Sequence, residues 1–67
     1  MKDNWESLTE LINKVSNADD RHVLLLWLKR AELFNLKYEV ASTAMANVKN
    51  GCQLIDAMNN AMFEWDI

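Results

Sequence analysis

The sequence predicts an all-α protein, a small bundle of four short helices, on three observations. There is no proline and a single glycine, so little in the chain breaks helices. Apolar residues recur three and four apart throughout. The period-two alternation of a half-buried strand is absent.

The first helix is expected over about Asn4 to Ser16. Trp5, Leu8, Ile12 and Val15 fall on one stripe, with Leu11 beside it. Asp3 with Glu6 resembles a capping box, and both carboxylates lie at the positive end of the helix dipole. The stretch SNADD interrupts the pattern. Ser16 or Asn17 can cap a second helix, with Asp19 and Asp20 in its first turn.

That second helix, about residues 18–35, contains the apolar run Val23 to Leu28. Only Val23 in the run is β-branched, and the run continues into KRAEL, so helix is favoured over a buried strand. On a helical wheel Val23, Leu24, Trp27, Leu28, Ala31 and Phe34 share a broad arc. Leu26 and Leu33 make a second, narrower stripe, and Leu25 falls between Lys29 and Glu32 on the polar side. A helix apolar on most of its circumference belongs in the middle of an assembly, so this one is expected to be central.

After NLKY a third helix is expected over about Tyr38 to Lys49, with Val40, Ala41, Ala44, Met45 and Val48 inward. Its alanines allow another helix to approach closely. The stretch KNG ends it, and Gly51 suits the left-handed position beyond a helix. A fourth helix, about Cys52 to Trp65, carries Leu54, Ile55, Met58, Ala61, Met62 and Trp65 on one stripe. Phe63 points the opposite way, with Ile67 roughly beside it. The expected core is aromatic, built on Trp5, Trp27, Phe34 and Trp65.

A chain of 67 residues reads as one helical domain, residues 1–67, near the lower limit of independent stability. One cysteine and one histidine exclude an internal disulfide and a Cys/His zinc site within the chain. Methionines 45, 58 and 62 at helical spacing read as core filler, although such surfaces also serve as adaptable binding sites. A net charge of −3 suits a cytoplasmic protein and argues against DNA or anionic lipid as a partner. The polar, acidic start lacks the basic and apolar segments of a secretory leader. The longest apolar run is far short of the roughly 20 residues that span a bilayer.

Candidate chemistry is sparse. His22 near Asp19 and Asp20 has the makings of an oriented base, or with Asp19 of two metal ligands. No second catalytic group has a motif around it, so a surface histidine is the plainer reading. Cys52 precedes a helix start, where a thiol gains reactivity, but a partly buried small hydrophobe is the commoner case. No glycine-rich phosphate loop, nucleophile elbow or zinc-protease motif occurs. The expectation is a non-enzymatic protein without cofactor or metal.

Helices three and four, joined by a short glycine turn, have the outline of a DNA-binding helix-turn-helix. The would-be recognition helix offers Gln53, Asn59 and Asn60, but no lysine or arginine follows Lys49, and Asp56, Glu64 and Asp66 would repel phosphates. The reverse idea, an acidic mimic of nucleic acid occupying a basic groove, needs Asp56, Glu64 and Asp66 to cluster with Asp19 and Asp20.

The reading favoured by the residues is a small protein that binds another protein and blocks or modulates it. Leu25, Lys29, Glu32, Asp56, Phe63, Glu64 and Ile67 are the expected partner-binding residues, with acidic side chains as the polar rim. A homodimer is a second way to cover the leftover apolar surface. In size and acidity the chain is similar to small inhibitors carried by phages and mobile elements, including anti-CRISPR proteins.

Overall fold

A computed structural model describes residues 2–67. The described residues form an all-α bundle of four helices: α1 (Asn4–Asn13), α2 (Ala18–Leu33), α3 (Lys37–Lys49) and α4 (Leu54–Glu64). The first two begin on side-chain caps. Asp3 accepts from the Glu6 amide at 2.8 Å, and Asn17 accepts from the Asp20 amide at 3.0 Å. Each cap satisfies a backbone donor that the first helical turn leaves without a partner. The guanidinium of Arg21 donates to the Val15 carbonyl at 2.8 Å, which ties the start of α2 to the chain leaving α1.

The other three helix ends share one device. After α2, the Leu36 amide bonds the Ala31 carbonyl and the Asn35 amide bonds that of Glu32. Cys52 and Gly51 repeat the pair on Asn47 and Val48, and Ile67 and Asp66 repeat it on Met62 and Phe63. This is the Schellman turn, and it requires a left-handed residue just beyond the helix. Asn35 at φ 58°, Gly51 at 98° and Asp66 at 58° supply it. Gly51 is thus where the sequence placed it; Asn35 and Asp66 do the same work at ends that the sequence did not mark.

These turns explain the corrected boundaries. The second helix stops at Leu33 rather than near residue 35, because Asn35 has left the helical region. The fourth starts at Leu54 rather than Cys52, whose amide still belongs to the turn closing α3. The first stops at Asn13, where the amides of Lys14 and Val15 tighten onto carbonyls three residues back. Ile67 is also corrected. It does not continue beside Phe63: the left-handed Asp66 folds it back, partly buried, against the core.

The core centres on α3 more than on α2, which touches all three other helices but none of them extensively. The closest packing is α3 against α4. Ala41 and Ala44 of α3 and Ala57 and Ala61 of α4 are fully buried, and side chains this small let two backbones come near each other. Leu8, Ile12 and Leu24 complete the interior with Val40 and Met58, all buried. The expected aromatic core is replaced by this aliphatic one. Trp5 and Trp27 are packed at its margin, whereas Phe34 and Trp65 are exposed. The Trp65 indole N–H donates to the Thr43 hydroxyl at 2.9 Å, which gives that ring a polar anchor outside the core.

Candidate functional site

Of the broad apolar arc on α2, only Leu24, Leu28 and Ala31 are buried. Trp27 is half-buried at the margin, and much of the rest of the helix faces outward. Leu26 is 53% exposed, Leu33 78% and Phe34 55%. The second stripe is therefore not covered by the neighbouring helices. Leu26, Arg30 and Leu33 follow i, i+4, i+7 spacing and so share one face over about two turns. Together with Trp27, Lys29 and the folded-back Ile67 they border an open depression of ≈ 550 Å³.

Both charged residues at its edge are cations. Neither is paired with a carboxylate; among the described residues the only ion pair is Lys2 with Glu10. The Arg30 guanidinium lies 5.7 Å from the centre of the Phe34 ring, a cation–π contact that turns it over the exposed apolar surface. The depression is thus lined by four apolar residues and two cations, on a chain whose net charge is −3.

The residues expected from sequence distribute as follows. Leu25, 41% exposed, Lys29 and Glu32 occupy the adjoining flank of α2. Lys29 and Ile67 meet at the depression. Phe63 is 86% exposed on α4 but does not border it. Asp56 and Glu64, both exposed, sit near opposite ends of α4, roughly 12 Å apart along its axis. Sequence reasoning did not single out Leu26, Trp27, Arg30 and Leu33 as site residues. The available signal was Arg30, which falls between Leu26 and Leu33 on the wheel. A stripe with a cation inside it and no acid to pair with is poorly suited to a core.

No family model matches this chain, no curated protein is similar to it, and no solved structure resembles it.

The remaining features are lesser. Trp5, Glu6, Thr9 and Glu10 border a shallow hollow on α1, and the Lys37 ammonium stands 5.0 Å from the Trp5 ring centre. A smaller one lies where the starts of α2 and α4 meet, lined by Asp20, Leu24, Leu54 and Ile55 among others. His22 and Cys52 are exposed. Among the described residues no three His, Cys, Asp or Glu side chains come together as a metal site. No described helix is long and apolar enough to cross a membrane.

Proposed function

We propose that this chain is a small, non-enzymatic protein that binds another protein and blocks or modulates it, in the manner of the compact acidic inhibitors of phages and mobile elements. One observation carries the reading: α2 leaves Leu26 and Leu33 exposed on one face, beside a depression that they line with Trp27 and Ile67. Single exposed apolar residues are ordinary, but a contiguous apolar patch rimmed by charge marks an interaction surface. The apolar centre supplies affinity, and the surrounding polar residues select the partner.

The nucleic-acid alternatives draw less support. Lys37 opens α3 and lies over Trp5, while Lys49 closes the same helix, roughly 18 Å away along its axis. These two lysines therefore do not form one compact basic cluster with each other. As for an acidic mimic, Asp56 lies at the end of α4 that meets the start of α2 with Asp19 and Asp20, but Glu64 and Asp66 stand at the other end of α4. The first pair is also accounted for by its place at a helix N-terminus.

The test is affinity capture from the producing cell or its host, run side by side with the wild-type chain and Leu33→Glu. Leu33 is too exposed for this change to disturb the core, and circular dichroism checks the fold. A partner held in stoichiometric amount by the wild type and lost with the variant supports the proposal. Equal recovery with both chains overturns α2 as the binding face.

A further inference from the structure

We infer that the occupant of the α2 depression is an acidic amphipathic helix of a partner protein. The inference rests on the protein-binding reading above and adds the chemistry of the partner. Leu26, Trp27, Leu33 and Ile67 line the depression together with Lys29 and Arg30, which fall between the two leucines along α2 and have no carboxylate within ion-pair distance among the described residues. The chain has ten acidic residues against seven basic ones, yet none of those acids neutralises this pair. Carboxylates on a partner would supply counter-charge to two cations that stand side by side at an apolar surface.

The shape favours a helix as the occupant. Leu26 and Leu33 are two turns apart, about 10 Å along α2, which matches the repeat of apolar anchors on an amphipathic helix laid alongside. Carboxylates flanking that apolar seam would reach Lys29 and Arg30. Opposite charge at the edge of such a seam fixes register and excludes wrong partners.

A second copy of this chain fits less well. In a two-fold pairing the residues at the centre of the patch face their own counterparts. Lys29 and Arg30 lie between Leu26 and Leu33, so like charges would meet at the axis.

The experiment pans a display library of randomised 18-residue helical peptides against the purified full chain. The recovered peptides are expected to carry Leu, Met or Phe at i, i+3 or i+4, and i+7, flanked by Asp and Glu. The double variant Lys29→Glu/Arg30→Glu then weakens binding by about tenfold or more. Exchanging the selected peptide's acidic residues for lysine restores binding to that variant, which loss of folding would not allow. Peptides that are neutral or basic, no recovery of α2-directed peptides, or charge reversal without effect each overturn the inference. So does a dimer on this face by light scattering, or binding to phosphatidylserine vesicles that the charge reversal abolishes. Neutral peptides docked on α2 would remove the acidic partner but leave the protein-binding reading standing. Capture unaffected by Leu33→Glu would remove the binding face itself.

Discussion

Leu24 and Leu33 are the same residue type on the same helix, and their surroundings differ completely. Leu24 is 1% exposed and Leu33 is 78% exposed. Leu24→Ala deletes buried methyl groups and leaves a cavity, so urea denaturation should show a loss of about 2–5 kcal/mol. Leu33→Ala should stay within about 0.5 kcal/mol of the parent, since it removes no packed neighbour. A large loss for Leu33→Ala would mean that the outer face of α2 is structural. Glu10 gives a second residue-level outcome. Its hydrogen bond from the Lys2 ammonium, assisted by the attraction of Lys2 and Lys14, holds its carboxyl below the usual glutamate range. A lowered folded-state value contributes stability above the ordinary range and loses it as pH falls through the folded value. The group is fully exposed, so the contribution is small and screened by salt. In an NMR titration Lys2→Met should move Glu10 back up toward the normal range, and an unchanged titration would show that the contact does not persist in solution.

At the scale of elements, the positions of all four helices were legible because spacing, caps and breaks agreed. Asp3, Asn17 and Gly51 announce ends through short polar side chains or a missing Cβ. Asn35 and Asp66 announce theirs far more weakly, since most Asn and Asp residues are not left-handed. The turn chemistry can be checked directly. A Cβ at Gly51 would meet nothing within 4 Å, so Gly51→Ala should cost about 1–2 kcal/mol through backbone strain alone. Asn35→Gly should cause no comparable loss at the end of α2, because glycine tolerates the same φ. A neutral Gly51→Ala would mean that the turn relaxes to another geometry. Which helix sits at the centre was not legible. The unbroken apolar run Val23 to Leu28 points to α2, but the closest packing is between α3 and α4, whose buried alanines let them approach. The alanines contribute little to an apolar count and much to how closely two helices pack. For the same reason the candidate site was only half visible: Lys29 and Ile67 were expected, whereas Leu26 and Leu33 looked like core until neighbouring helices failed to reach them.

At the scale of the molecule, 67 residues support about 3–10 kcal/mol of folding free energy, so one cavity in the interior consumes much of the margin. The same small size makes binding easy to read. A peptide at a hundred times its dissociation constant adds about 2.7 kcal/mol. For a domain of this length that raises the thermal midpoint by on the order of 10 °C. A selected peptide that leaves the midpoint unchanged does not engage the folded chain. Three helices close with the same backbone turn, and at the last of them Asp66 swings Ile67 inward beside α2. Leu33 and Phe34, by contrast, stay in water at the end of their helix. That exposure has a bearing on life inside a cell. Orphan copies offer quality-control machinery a ready handle and offer one another a place to clump, whereas seated copies hide it. Under the proposed binding function, the abundance of this protein should therefore rise and fall with that of its partner, even when its own synthesis is held constant.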